Sequence, residues 1–280
     1  MEDNTSRSDN ASDLNDMERT KAKWLTEQEF IKSKVVTLDD RDWDSRMETI
    51  LVGGLDISFI VGDDVNACAC YVVVNKKLEV VYQKTKMVQM TAPYIPGFLA
   101  FREANFLCDL VQEQELENPE VSPDLLMLDG NGILHPNRAG IASHLGVLLG
   151  KPCIGVAKNL HKLPELEHVT NETLAKKLNK KGDIYMLSSV EGEILGAAVR
   201  TGETCVNPVF VSVGSGISLD SAVKLTLTLS KYRIPEPTRQ ADMISREFLR
   251  VHYPTERQLQ PTKKHKEGGR KSTKRGSTNE

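Results

Sequence analysis

The segment that most constrains this chain is DLLMLDGNGILHPNRAGIASHLGVLLGKPCIGVAKNLH, from Asp124 to His161. Leu125 to Leu128 and Cys153 to Val156 read as short buried strands, and Arg138 to Leu149 between them as a helix. Strand, helix and strand in that order make a parallel pair, because parallel strands need a long crossover connection. The first strand delivers Asp129 to a glycine-rich turn, and His135, Arg138, His144 and Lys158 follow. A carboxylate at a strand end, beside cationic groups and exposed backbone, suits a site that handles phosphate and metal.

Upstream the periodicity is that of antiparallel strands. Thr49 to Val61, Val65 to Val74 and Leu78 to Lys84 are β-rich, and Gly62-Asp63-Asp64 and Asn75-Lys76-Lys77 supply the turns of two successive hairpins. A helix from Met17 through MERTKAKWLTEQEFIKSK precedes them. Another runs from Gly97 to Glu115, after Pro93-Tyr94-Ile95-Pro96. Further strands are expected at Ile184 to Ser188, Ile194 to Arg200 and Val209 to Val213. Helices are expected at Leu219 to Lys231 and, after Pro235-Glu236-Pro237, at Thr238 to His252. The order βββαβαβ followed by helices predicts an α/β fold: one mixed sheet of three antiparallel strands and then parallel strands, flanked by helices.

The 280 residues, 39% of them hydrophobic, suffice for one domain with tails. No apolar stretch is long enough to span a bilayer, and the polar N-terminus lacks the apolar segment of a signal peptide, so the chain is expected to act inside the cell. Cys68, Cys70, Cys108, Cys153 and Cys205 form no CxxC pair and read as reduced core thiols. From Arg257 to Glu280 eight Lys or Arg face two acids, a net of +6 in a chain of formal charge −3, which leaves −9 on the rest. Residues 1–20 are accordingly expected to be an acidic disordered tail, 21–256 the folded domain and 257–280 a basic disordered tail. KKHK and RKSTKR in that tail suit added non-specific contacts to nucleic acid and a nuclear or nucleolar address besides the cytoplasm.

Four acids stand where a merely solvated carboxylate is out of place. Asp56 interrupts the apolar strand LVGGLDISFIV, and burying it unpaired would be costly. Glu103 shares a helical stripe with Leu99, Phe106, Leu107 and Leu110. Asp129 ends the first parallel strand, and Asp242 lies near the apolar face of the last helix. Singly each has an ordinary explanation: a turn cap for Asp56, pairing with Arg102 or Arg138 for Glu103, backbone amides of Gly130 to Gly132 for Asp129, solvent for Asp242. Converging on one sheet edge they need shared charge compensation, which a divalent cation with oxygen ligands supplies. The chemistry to expect is metal-assisted phosphodiester hydrolysis.

GGLDISF (53–59), PYIPGFLAFRE (93–103), LDGNGILHPNRAGIASHLGVLLGKPCIGVAKNLH (128–161) and YRIPEPTRQAD (232–242) resemble, in this order, the motifs of the endonuclease V family, over roughly Lys23 to Leu249. The resemblance implies a ribonuclease H-like fold. It also implies cleavage of nucleic acid at the second phosphodiester 3′ of an inosine, with Mg2+, or Mn2+ as its substitute. Asp56 and Asp129 then correspond to the principal metal ligands, Glu103 to a third acid, Asp242 to the last helix's contribution, and Lys158 to a lysine near the scissile phosphate. Asp242 is a departure from many bacterial members, which carry His there, and matches animal and plant members instead.

Pro93, Tyr94, Ile95 and Pro96 resemble the family's wedge, where two prolines stiffen a loop and Tyr94 offers a planar face to an unstacked base. Gly97, Leu99, Gly140 and Ile141 occupy positions resembling the pocket for hypoxanthine. His135 and Arg138 are assigned to ordering the loop or to phosphate, while His144, His161 and His168 receive no role. The eukaryote-like Asp242 and the basic tail favour inosine-containing RNA as the substrate of a monomeric enzyme. Deoxyinosine-directed DNA repair is the alternative within the class, and a non-catalytic inosine- or RNA-binding module the alternative outside it.

Overall fold

The computed structural model describes residues 5–254, so the basic segment 257–280 lies outside the described residues. The elements are α1 (Thr5–Lys34), α2 (Trp43–Arg46), β1 (Leu51–Phe59), β2 (Asn66–Asn75), β3 (Val80–Gln89), α3 (Ala100–Glu117), β4 (Leu125–Leu128), α4 (Ile141–Leu149), β5 (Cys153–Ala157), α5 (Asn171–Lys177), β6 (Ile184–Ser188), β7 (Ile194–Val199), β8 (Val209–Ser215), α6 (Leu219–Thr228) and α7 (Glu236–His252). All eight strands form one sheet in the order β3-β2-β1-β4-β5-β8-β7-β6. The hairpins β1-β2 and β2-β3 are antiparallel, and β1-β4 and β4-β5 are parallel. The sheet is thus mixed and flanked by helices, as the sequence order predicts.

The parallel part is smaller than expected. β8 runs antiparallel to β5, and β7 and β6 continue antiparallel beyond it, so parallel pairing is confined to β1-β4 and β4-β5. The reason is connection length: β6 and β7 are joined by the tight turn around Gly192, which permits only a hairpin. Other boundaries move for local reasons. Gly97 and Arg138 have positive φ, +85° and +54°, so α3 and α4 begin after them, at Ala100 and Ile141. α7 begins at Glu236, earlier than Thr238, because a proline is tolerated in the first helical turn. α5, absent from the sequence expectation, is capped by Thr170, whose hydroxyl accepts from the Thr173 amide at 3.1 Å. The first helix starts at Thr5 rather than Met17 and takes in most of the segment assigned to the acidic tail.

The core lies on both faces of the sheet. Leu55, Tyr71, Leu107, Leu110, Leu126 and Leu145 pack α3 and α4 on one face. Val52, Leu125, Met127, Ile154, Val211 and Leu225 pack α6 on the other. β4 is buried along its whole length because it is covered on both faces, which explains its unbroken apolar run. α7 covers β1 and β2, with Ala241 against Cys70, Val72 and Val74. It comes very close to β1: a Cβ at Gly54 would overlap the backbone carbonyl of Pro237. Gly54→Ala is therefore expected to cost about 1–3 kcal/mol or more, since backbone and not a flexible side chain would have to move. A lowered urea midpoint at an unchanged slope would register it; an unchanged midpoint would mean that α7 is free to move away.

Four of the five cysteines are buried and Cys205 is half-buried, all as free thiols. No described helix is long and apolar enough to cross a membrane.

Candidate active site

The register of β1 and β4 places the first two acids. Leu55 is the partner of Leu128, the last residue of β4, so Asp56 and Asp129 follow side by side at the same level. Because β4 stops there, the edge of β1 beyond Leu55 is open, and groups from both faces of the sheet meet at it. Glu103 comes from the first turn of α3 on one face, and Asp242 from α7 on the other. Lys158 follows the last residue of β5, the next strand along.

The charges of these groups are coupled. Burial pushes the Asp56 carboxyl up to about 6, with Asp129 and Asp242 adding to the rise and Lys158 and the Ser245 hydrogen bond opposing it. Burial pushes Glu103 further, to about 8; Asp56 and Asp129 raise it, and Arg102 pulls it down only in part. Lys158 donates to Asp129 and stands 3.9 Å from Asp242. Burial alone would lower its ammonium, but the hydrogen bond to Asp129 and the charges of Asp129, Asp242 and Asp56 outweigh this and leave it above its ordinary value. Asp242 also accepts from Arg246 Nε at 2.9 Å. The site thus holds more negative charge than its one buried-side cation neutralises.

Neither arginine that sequence offered as a partner for Glu103 takes that role. The Arg102 guanidinium lies 5.4 Å over the Phe59 ring and donates to the Asp64 carbonyl. Arg138 pairs with Glu165 at 2.6 Å and with Glu193 at 3.1 Å. It therefore orders the loop, with its fork already taken by two carboxylates. His135 is buried and held down to about 4, chiefly by burial and then by His161, His144 and Arg138, so it is neutral and accepts the Asn137 amide at 3.2 Å.

Two serines that the sequence motifs do not single out hold Asp56. Ser245 Oγ and Ser58 Oγ each donate to Asp56 Oδ2 at 3.3 Å and lie 2.8 Å from each other. Their signal was spacing: Ser58 follows Asp56 by two on the same strand face, and Ser245 follows Asp242 by three on α7. Gln28 is a second omission. Fully buried, it donates to the Ala139 carbonyl at 2.7 Å and the Gly97 carbonyl at 3.2 Å and accepts from Asn137 at 2.7 Å. One side chain of α1 thereby ties the end of the PYIP loop to the glycine-rich loop.

In the PYIP loop Tyr94 is 64% exposed, with Pro93 and Pro96 exposed on either side, while Ile95 is buried and anchors the loop. Tyr94 and Leu99 line a cavity of about 620 Å3 that reaches Glu103, its other wall formed by Phe59 to Asp64. Gly140 and Ile141 do not reach it. They are buried under the glycine-rich loop, where a Cβ at Gly140 would overlap the Asn131 carbonyl and Ile141 packs against Gly130.

The donor set fits a hard divalent cation: four carboxylates, two with ionisation opposed by burial and by one another. Among the described residues no three carboxylate, imidazole or thiolate side chains are drawn together around one point, and Lys158 stands between Asp129 and Asp242.

Comparison with known proteins gives a consistent result. The family model for Endonuclease V matches residues 30–243. Human Endonuclease V is 44% identical over 238 residues, 83% of this chain and 84% of that protein. The crystal structure of the catalytic domain of human Endonuclease V superposes with a TM-score of 0.80 over 84% of this chain and 97% of that one, at 44% identity. Endonuclease V of Ciona intestinalis, in complex with a 23mer DNA containing an inosine followed by a ribo-adenosine, superposes with a TM-score of 0.78 at 35% identity, over 83% of this chain and 98% of that one. With the acids of β1, α3, β4 and α7 at one open sheet edge and these matches across most of its length, the chain belongs to the endonuclease V family.

Proposed function

We propose that this protein is a metal-dependent endonuclease that cleaves inosine-containing nucleic acid at the second phosphodiester bond 3′ of the inosine, with RNA preferred to DNA. The observation that carries this reading is the cluster of Asp56, Glu103, Asp129 and Asp242 with Lys158, bordered by the exposed Tyr94. The DNA bound to the Ciona intestinalis relative, which contains an inosine followed by a ribo-adenosine, supports the inosine-directed reading.

Asp56, Glu103, Asp129 and Asp242 would hold Mg2+, or Mn2+ in its place. Such a cation, when bound, supplies Lewis acidity at the phosphoryl oxygen and makes water a competent nucleophile near neutral pH. The protein's own groups do the rest. Ser58 and Ser245 fix the Asp56 carboxylate through Oδ2, and the Lys158 ammonium, released from Asp129, donates to a phosphate oxygen whose charge grows during attack. Tyr94, on a loop stiffened by two prolines, gives a stacking face to a base that has lost its neighbour where the inosine is turned out. The basic segment after Tyr253 is read as adding non-specific contacts to the same strand.

Matched single-stranded RNA and DNA, with and without one inosine, incubated with magnesium, manganese or EDTA, test this. Cleavage is expected only of the inosine strands and only with metal, faster for RNA, with a product ending at the second bond past the inosine. Binding without metal-dependent cleavage would make the protein an inosine-binding module instead, and equal or faster cleavage of DNA would favour the repair reading.

A further inference from the structure

Lys158 stands at the mouth of a groove of about 1150 Å3 that runs away from the acids, between the segment after β5 and the loop before β8. Its lining carries four cations, Lys158, Lys162, Arg200 and Arg233, against the single acid Glu167, in a chain of formal charge −3. Lys162, Arg200 and Arg233 have no carboxylate partner among the described residues. Arg200 donates to the carbonyls of Leu178, Asn179 and Glu203, and Arg233 to those of Pro208 and Lys158. Backbone carbonyls orient these guanidinium groups without cancelling their charge, and Lys162 is exposed. Between the cations the wall is apolar: Leu160 lines it, and Val206 is 67% exposed there. Fixed positive charge alternating with apolar surface is the pattern that receives a single strand, phosphates on the cations and bases on the apolar faces.

We infer that this groove binds the nucleotides 3′ of the cleaved bond. The inference rests on the proposed function and adds a direction to it. Asp56 lies in β1, and Asp129 and Lys158 directly follow β4 and β5, the next two strands of the sheet, about 4.8 Å apart, so the row from Asp56 to Lys158 spans about 10 Å. The cavity with Tyr94 and Glu103 opens on the β1 side of this row and the groove on the β5 side. A strand whose inosine is turned out beside Tyr94 and whose broken bond lies 3′ of it crosses the acids and enters the groove with its 3′ flank. The preorganised arginines then hold the product strand after the bond breaks.

The test uses the full chain and a set of single-stranded RNAs with one inosine and a constant 5′ flank, whose 3′ flank grows one nucleotide at a time beyond the cleaved bond. KM is expected to fall as the flank lengthens and then to level off, and the ratio of Lys162→Glu to wild-type KM to grow with flank length. On the longest substrate the logarithmic salt dependence of affinity should be shallower by about one for Lys162→Glu, one phosphate contact having been lost. Cleavage with a wild-type KM indifferent to the 3′ flank, or a Lys162→Glu penalty equal at all lengths, would overturn the groove assignment and leave the function standing. Failure to cleave any inosine strand, at any length, overturns the proposed function and this inference with it.

Discussion

Asp56→Asn is expected to lower cleavage of an inosine-containing strand at least about a thousandfold and, at the same time, to raise the stability of the folded protein at pH 7. The loss follows from chemistry: an amide cannot supply the negative charge that binds a hard cation, and deleting one group that stabilises charge in the transition state costs on the order of 10²–10³ even where a cation is not involved. The gain follows from position. Asp56 is pushed up to about 6 by burial and by Asp129 and Asp242, so its ionisation at pH 7 opposes folding. The amide oxygen accepts the same two hydrogen bonds from Ser58 and Ser245, so the shape of the site is kept. Urea denaturation in EDTA should show a higher midpoint for the variant, and single-turnover cleavage with magnesium should show the loss. A variant both inactive and less stable would mean that Asp56 is a structural carboxylate paired by something other than its serines. A variant that cleaves normally would remove Asp56 from the chemistry altogether.

Such a trade-off marks the positions where sequence was most informative. Asp56 inside an apolar strand and Glu103 on an apolar stripe are conflicts between residue type and place, and conflicts of that kind stand out without coordinates. The strands β4 and β5 were equally legible, because burial on both faces leaves an uninterrupted apolar run of definite length. What escaped was set by contacts between distant segments. Gln28 looks like any polar residue of an amphipathic helix, and only the fold brings it under Gly97 and Ala139. The direction of β6, β7 and β8 depended on which strand β8 would join, and periodicity carries no information about that. The packing of Gly140 against Asn131 and of Ile141 against Gly130 is likewise set by the fold and is not legible in the motif.

The contribution of Asp56 and Glu103 to the stability of the metal-free protein should decline as pH rises from about 4 to about 8, against the rise that buried His135 and His144, both held down to about 4, contribute up to about pH 6.5; magnesium should restore what the two carboxyls lose. At low pH both Asp56 and Glu103 are protonated in either state and cost nothing. As pH rises the unfolded chain ionises first, near 3.8 and 4.5, while the folded chain retains its protons to about 6 at Asp56 and about 8 at Glu103. At these two groups the folded state then binds more protons than the unfolded one, and their contribution to stability falls with pH until both are ionised in both states. A carboxyl that keeps its proton to a tenfold lower acidity in the folded state forfeits about 1.4 kcal/mol once ionised, so the two together remove a few kcal/mol or more by about pH 8. A divalent cation bound by the folded state alone reverses this by mass action, about 2.7 kcal/mol at a hundred times its dissociation constant. Denaturation curves in EDTA across this range, for wild type and for Glu103→Gln, separate the contribution of Glu103, since the variant should lose less stability above about pH 4.5 and gain less from magnesium at about pH 7.5. If magnesium leaves the wild-type midpoint where it was, the four carboxylates are not a cation site, and their repulsion is relieved by Lys158 and by the protons that Asp56 and Glu103 retain.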